Sequence, residues 1–133
     1  MTLAFVTGGS RGLGLATARG LVSAGIQIVL FARDTEQLRT AAAELNSPFE
    51  YVELSNIEQT RKVFQDAVAK YGVPDILMLA HGVMSDRLAK TLKTNDAEWN
   101  RVMTINLDSV FTIVNEVGLL CVGITSDCLA PAT

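Results

Sequence analysis

The sequence predicts a doubly wound α/β fold, in which helices cover both faces of a parallel sheet. Short apolar runs alternate with amphipathic stretches along the chain, a pattern typical of consecutive strand–helix–strand units. The run Ile26–Ala32 is almost entirely apolar, as expected for a strand that is covered on both sides. Right-handed crossovers then give the strand order 3-2-1-4, an incomplete doubly wound sheet with room for a fifth strand.

The apolar runs define the expected strands, and helical spacing defines the segments between them. The strands are expected at Leu3–Thr7, Ile26–Ala32, Phe49–Leu54 and Ile76–Ala80, with Leu119–Thr125 as a possible fifth. The first helix should run from Gly12 to Ala24, with an apolar side formed by Leu13, Ala16, Leu21 and Val22. The last helix should be a long one, from Asn95 to about Glu116.

Three helix starts are expected at capping-box pairs, in which a polar residue is followed three positions later by Glu or Gln. The pairs are Asp34 with Gln37, Ser55 with Glu58, and Asn95 with Glu98. Gly72 and Pro74 should end the helix that begins near Ser55.

Composition limits the class of protein. The 133 residues suffice for one domain, and a net charge of -3 favours neither nucleic acid nor a membrane surface as partner. The two cysteines, Cys121 and Cys128, fit neither a disulfide framework nor a metal site. The chain opens directly into an apolar strand with no signal-peptide pattern, so a cytoplasmic location is expected.

The strongest motif is the stretch from Thr7 to Gly14, which reads Thr-Gly-Gly-Ser-Arg-Gly-Leu-Gly and joins the first strand to the first helix. Glycines allow a tight turn and let a diphosphate approach the backbone closely. The free N–H groups and the positive dipole end of the helix stabilise an anion there. The motif therefore predicts a dinucleotide site formed by Thr7, Gly8, Ser10, Arg11, Gly12, Leu13 and Gly14, with a merely structural turn as the alternative.

This spacing resembles the short-chain dehydrogenase/reductase family, as do Asp75-Ile76-Leu77 leading into Gly82 and Ile105-Asn106-Leu107 in the last helix. The resemblance covers about residues 2 to 117. It implies a Rossmann-like fold, a bound nicotinamide coenzyme, and hydride transfer to or from a carbonyl or alcohol carbon. It also implies that the last helix, over 95–117, can pack in a subunit interface of a homo- or hetero-oligomer.

Two arginines favour NADP over NAD as the coenzyme. Arg33 directly follows the second strand and Arg11 lies in the glycine loop, where guanidinium groups can bind a 2′-phosphate. The family members that prefer NADP are basic at both positions. The alternative is that Asp34 accepts the ribose hydroxyls of NAD, although its spacing from Gln37 favours a helix cap.

Two positions depart from the family pattern. Glu53 stands where the family commonly has an Asp that meets the adenine, and Leu54 can still offer a backbone N–H. The family's Asn-Asn-Ala-Gly reads Leu-Ala-His-Gly over 79–82, so only Gly82 is kept. His81, the one histidine of the chain, is interpreted as structural rather than catalytic.

Asn106 is the one expected catalytic residue. It lies on the apolar side of the last helix, three positions after Met103 and four before Val110, so its amide is expected to be buried and to need partners. The resemblance implies the active-site Asn that kinks this helix and holds a water in a proton relay. The alternative is an Asn that a local carbonyl or a water satisfies.

The remaining catalytic pattern of the family is missing. The family uses Tyr-x-x-x-Lys and an upstream Ser, but Tyr51 and Tyr71 are followed at the fourth position by Ser55 and Asp75. Ser126 is at best a loose match for the Ser. We therefore expect a partial NAD(P)-binding domain over 1–117 and a divergent tail over 118–133, able at most to bind dinucleotide. The alternative is a non-catalytic module that pairs with a full-length relative.

Overall fold

The computed structural model describes residues 1–33, 35–85 and 91–121. The strands are β1 (Leu3–Thr7), β2 (Gln27–Ala32), β3 (Phe49–Tyr51) and β4 (Ile76–Leu79). The α-helices are α1 (Gly12–Ser23), α2 (Glu36–Leu45), α3 (Ile57–Tyr71), α4 (Asp96–Met103) and α5 (Ser109–Cys121). A 3-10 turn, Thr91–Lys93, precedes α4, and a π-helical turn, Thr104–Asp108, joins α4 to α5.

The four strands form one parallel sheet in the order β3-β2-β1-β4. Strand β1 lies in the middle and all five of its residues are buried. Its start is fixed to β4 by Asp75, whose carboxylate accepts the Leu3 N–H at 2.9 Å while its own N–H donates to the Leu3 carbonyl at 2.8 Å. The predicted fold class and strand order are thereby confirmed.

Helices cover both faces of the sheet. On one face α3 and α5 pack on an aromatic core, in which the Phe31 and Phe64 rings stack at 4.4 Å and Phe5 lies 5.0 Å from Phe31. On the other face α1 and α2 pack through small and aliphatic residues such as Ala18 and Leu38. Because both faces are buried, the carboxyl edge of the sheet is left as the open side.

Two of the three predicted helix caps are wrong by one residue. Thr35 caps α2 by accepting the Leu38 N–H at 3.3 Å, and the predicted cap, Asp34, lies outside the described residues. Asn56, not Ser55, caps α3 and accepts the Gln59 N–H at 3.0 Å. Each start offers two adjacent residues that can cap, and the last extended residue takes the role. Asn95 caps α4 as predicted.

The predicted inner side of α1 is also mostly wrong. Leu13 is 82% exposed and Val22 is exposed, whereas Gly14 and Ala18 are the buried residues. Leu21 packs against the core as expected. The limit on side-chain size is at the start of the helix, where a Cβ on Gly14 would lie 2.0 Å from the Gly8 carbonyl oxygen, whereas Leu15 also packs, partly buried, against the core.

The last helix differs from the single long helix that the sequence predicts. The π-turn at Thr104–Asp108 interrupts it, and α5 continues to Cys121, beyond the expected end at Glu116. The possible fifth strand is therefore wrong for residues 119–121, and its remainder, 122–125, lies outside the described residues. None of the described helices combines the length and the apolar character that crossing a bilayer requires.

Candidate functional site

A cavity of about 490 Å³ opens at the carboxyl edge of the sheet. Its walls come from the segments that directly follow the four described strands, together with Arg101 and Ile105 from the last helical region. In open parallel sheets this edge is where ligands bind, and the volume is that of an ordinary ligand site.

Most of the residues predicted for the site meet around this cavity. Those that line it are Gly8, Ser10, Arg11, Gly12, Leu13, Arg33, Glu53, Leu54 and Gly82. Thr7 and Gly14 are buried behind the lining, and Asn106 lies beside it.

The glycines of the loop after β1 are required for different structural reasons. A Cβ on Gly14 would lie 2.0 Å from the Gly8 carbonyl oxygen, and a Cβ on Gly8 would lie 2.7 Å from the Ala80 carbonyl oxygen. Gly8 and Gly14 thus allow the loop to pack against the segment that follows β4 and against itself. Gly12, with a φ of +57°, has no described atom within 4 Å of its ideal Cβ position. It therefore borders open space on the cavity side.

The start of α1 faces the same space. Arg11 holds the N-cap position in extended conformation, and no described side chain forms a cap hydrogen bond there. Arg11, Gly12 and Leu13 all line the cavity. The N–H groups of this first turn lack helical partners, so they and the helix dipole favour an anion at this position.

Positive charge predominates around the cavity. Three arginines line it, Arg11, Arg33 and Arg101, against one acidic side chain among the described lining residues, Glu53. Arg101 is bonded to both carboxylate oxygens of Glu98 and to the Met84 carbonyl. Arg11 and Arg33 are exposed, so their guanidinium groups are accessible to an anionic ligand. No group of three or more potential metal ligands occurs within the described ranges.

The segment after β3 contributes a polar shelf. Glu53 accepts the Ser55 hydroxyl at 2.9 Å, and its N–H donates to the Gln59 side chain at 2.8 Å. Leu54 is only 8% exposed, so it offers the cavity a narrow apolar and backbone surface. The carboxylate of Glu53 is thus oriented by its neighbours rather than projecting freely.

Asn106 lies within the π-turn and is exposed, contrary to the buried amide that the sequence predicts. Its Oδ1 accepts the Val83 N–H at 2.8 Å, and its Nδ2 donates to the Val83 carbonyl at 2.8 Å. The π-turn breaks the regular helical spacing on which the burial prediction depended, while Ile105 points inward and is buried.

His81 makes contacts that the sequence did not reveal. Its Nδ1 lies 2.7 Å from the Thr7 hydroxyl and its Nε2 lies 2.8 Å from the Ser109 hydroxyl. Burial lowers the pKa of His81 below its ordinary value, and a hydrogen bond with the Ile105 carbonyl acts in the opposite direction. Ser109 went unrecognised because helical spacing alone does not indicate which ring a buried hydroxyl meets.

Comparisons with known proteins agree with this geometry. The model of the short chain dehydrogenase family matches residues 2–120. Nodulation protein G of Rhizobium sp. (strain N33) is 35% identical over 116 residues, which cover 86% of this chain and 46% of that protein. The chain spans about half the length of the curated relatives it matches.

Two solved structures share the fold at higher coverage of this chain. A metagenomic short-chain oxidoreductase in complex with NADP has a TM-score of 0.83 and 29% identity, covering 92% of this chain and 57% of the other. A variant of actinorhodin polyketide ketoreductase with NADPH has a TM-score of 0.81 and 28% identity, covering 92% and 48%.

Proposed function

The chain belongs to the short-chain dehydrogenase family, and from that premise we propose that its residues form the NADP(H)-binding part of an oxidoreductase. The reaction proposed for the whole enzyme is hydride transfer between the coenzyme and a carbonyl or alcohol substrate. The observation that carries the proposal is the open space at Gly12, which borders an uncapped helix start at the mouth of the cavity.

The glycine loop is assigned to the diphosphate. The first-turn N–H groups of α1 donate to its oxygens, and Gly12 leaves space that a side chain would occupy. Ser10 lines the same part of the cavity and can donate a further hydrogen bond. Gly82, on the facing segment, allows the opposite wall to approach the ligand closely.

The two exposed arginines are assigned to the 2′-phosphate of NADP. Arg11 and Arg33 line one cavity from two different strand ends, so both can bind the same anion. The competing acceptor for NAD, Asp34, lies outside the described residues. The NADP and NADPH complexes of similar proteins support the same choice.

The shelf after β3 is assigned to the adenine. Glu53 and Leu54 line the same cavity, and the oriented carboxylate and the backbone can both bind a base edge. Asn106 is proposed as the family's active-site Asn, since it occupies the π-turn beside the cavity.

Hydride transfer needs an acid that these residues do not supply. When bound, NADPH supplies the hydride, and a positioned acid must protonate the resulting oxyanion. The 133 residues contain no Tyr-x-x-x-Lys. We therefore propose that this chain binds the coenzyme and, without residues from elsewhere, does not reduce carbonyl compounds at a measurable rate.

Calorimetric titration of the chain with four ligands tests this proposal. NADPH should bind more tightly than NADH, and adenosine 2′,5′-bisphosphate more tightly than adenosine 5′-monophosphate, because only the first of each pair carries the 2′-phosphate. Tighter binding of NADH would refute the NADP assignment. No heat with any of the four, from a sample with a cooperative melt, would refute the dinucleotide site.

A second candidate function is a non-catalytic module that pairs with another subunit. Four large apolar side chains of the last helical region are exposed: Trp99 (57%), Leu107 (56%), Phe111 (68%) and Val114 (48%). They form an outer apolar stripe along 95–117 that a partner, either a second copy or a full-length relative, can cover. Gel filtration with and without NADPH separates the two functions. The expected cytoplasmic location remains a prediction.

A further inference from the structure

The single histidine of the chain joins the two sides of the proposed coenzyme site. Its ring lies between the Thr7 hydroxyl at the end of β1 and the Ser109 hydroxyl at the start of α5, at 2.7 and 2.8 Å. Thr7 and Ser109 are both fully buried. The His81 ring is therefore held at both nitrogens by groups that solvent does not reach.

The direction of these bonds follows from the Ser109 hydroxyl. The Ile105 carbonyl lies 2.6 Å from this hydroxyl and can only accept, so we assign the hydroxyl proton to that bond, and the Ser109 oxygen then accepts from the ring. With this assignment, Nε2 of His81 carries the proton and Nδ1 accepts the proton of Thr7. The result is one directed chain of hydrogen bonds from Thr7 through His81 and Ser109 to the Ile105 carbonyl.

The two ends of this series of hydrogen bonds adjoin two opposite walls of the cavity, whose relative position sets its width. Thr7 is followed directly by Gly8, the first residue of the glycine loop, whose N–H bonds to the Phe31 carbonyl at 3.0 Å. Ile105 is followed directly by Asn106, which holds the backbone of Val83. A displacement of either end would therefore change the width of the cavity between Gly8 and Val83.

We propose that His81 is a positioning residue of the coenzyme site, which fixes the glycine loop relative to the π-turn through its neutral, Nε2-protonated form. This inference rests on the proposed function, since it assumes that the cavity binds a dinucleotide. It is a feature of this chain's own sequence: the family pattern has Ala at this position, and a methyl group can make neither bond. His81 acts through Thr7 and Ser109 and need not touch the ligand.

Protonation of the ring would disrupt the hydrogen bond between His81 and Thr7. A charged His81 must donate from Nδ1, so Thr7 would have to turn its proton to the Met78 carbonyl, which lies 3.5 Å away. The groups facing the ring are the hydroxyls of Thr7 and Ser109 and the Ile105 carbonyl. No charged side chain is among the causes of the pKa shift of His81, which are burial and the Ile105 carbonyl. Acid should therefore weaken the hydrogen bonding that joins the glycine loop to the π-turn through His81.

Nitrogen NMR of the chain labelled at histidine reads the ring directly, because only one histidine contributes signals. The apo protein near neutral pH should show a protonated Nε2 and an unprotonated Nδ1, and dinucleotide should not change this state. A protonated Nδ1 would overturn the proposal. This measurement does not require that any ligand binds.

Ser109→Ala removes the acceptor of the ring, and Thr112→Val is the matched control. Thr112 is also buried and donates to the carbonyl four residues back, that of Asp108, at 2.9 Å, but it does not contact His81. Amide hydrogen exchange of the apo protein should rise in both the glycine loop and the Val83 segment in Ser109→Ala, and in neither for Thr112→Val. Equal exchange in the two variants would overturn the proposal.

Binding supplies the second readout. Ser109→Ala should weaken NADPH binding about threefold to tenfold and Thr112→Val should leave it unchanged. The wild-type affinity should also fall more steeply with acid than that of His81→Ala, in which the 2′-phosphate still titrates but the ring is gone. If the wild type binds no dinucleotide, the proposed function fails, and the NMR and exchange results still decide the role of His81.

Discussion

The carboxamide of Asn106 forms two hydrogen bonds with the backbone of a single residue, Val83. Its Oδ1 accepts the Val83 N–H and its Nδ2 donates to the Val83 carbonyl, both at 2.8 Å. Arg101 adds a bond to the next carbonyl, that of Met84, at 3.1 Å. The strand-like pairing of an amide side chain with a backbone fixes the segment after β4 against the π-turn, so one wall of the cavity depends on Asn106.

Asn106→Asp should destabilise the fold by about 1 kcal/mol, because the carboxylate cannot donate to the Val83 carbonyl and repels it. Urea unfolding at neutral pH measures this free energy. Asn100→Asp is the control, since it introduces the same charge on the adjoining α4 at an exposed position without a described side-chain hydrogen bond. Equal losses in the two variants would show that charge, not the Val83 pairing, is responsible.

Two glycines of α1 should respond to alanine in opposite directions. In Gly14→Ala the new Cβ would lie 2.0 Å from the Gly8 carbonyl oxygen, so the loop must shift, at a cost of roughly 1–3 kcal/mol or more. In Gly20→Ala no described atom lies within 4 Å, and the helix should gain up to about 1 kcal/mol. The melting temperatures of both variants test this difference, with Gly20→Ala as the control. Similar losses of stability in the two variants would contradict the close packing at Gly14.

Selectivity for NADPH should depend on Arg11 and Arg33. Removing either guanidinium, in Arg11→Ala or Arg33→Ala, should weaken NADPH binding roughly tenfold or more and leave NADH nearly unaffected, since only NADPH carries the 2′-phosphate. Calorimetry with both coenzymes gives the ratio. Arg19→Ala is the control, because Arg19 pairs with Glu44 between α1 and α2 and does not line the cavity. Parallel losses for both coenzymes would contradict the assignment.

The fold was largely predictable because it follows from patterns that act over short distances. A fully apolar run such as Ile26–Ala32 has few solutions other than a covered parallel strand, and crossover handedness then fixes the order of neighbours. The caps at Thr35 and Asn56 were missed because two adjacent residues can each cap, and only the backbone conformation decides between them.

The site residues were predictable where a local motif requires a particular backbone conformation. They were not predictable where their positions depend on packing between distant segments. The loop residues from Gly8 to Leu13 line the cavity as expected. The exposure of Asn106 follows from the π-turn, which no local spacing indicates. The contact of His81 with Ser109 spans 28 positions and arises only once β4 and α5 lie side by side.

The stability of the fold should decrease with acid through His81. Burial lowers its pKa in the folded state below the unfolded value of about 6.5, so between these two values the unfolded chain binds more protons. Stability should therefore be complete above about pH 6.5 and fall as pH drops toward the folded pKa. Urea unfolding across pH 5 to 8 for wild type and His81→Ala isolates this contribution as the difference between two curves. Parallel curves would show that folding does not change the pKa of His81 and would contradict the prediction.

The outer apolar stripe should decide whether the chain self-associates. Phe111, 68% exposed, lies within the stripe, so Phe111→Glu should shift any dimer toward monomer in sedimentation equilibrium by placing a charge in the contact. Leu92→Glu is the control, because Leu92 is 97% exposed and lies in the 3-10 turn before α4, away from the stripe. Neither change touches the cavity lining, so NADPH affinity should be retained in both. A dimer that persists in Phe111→Glu would place the contact elsewhere, and a wild type that is already monomeric would remove the support for the pairing module.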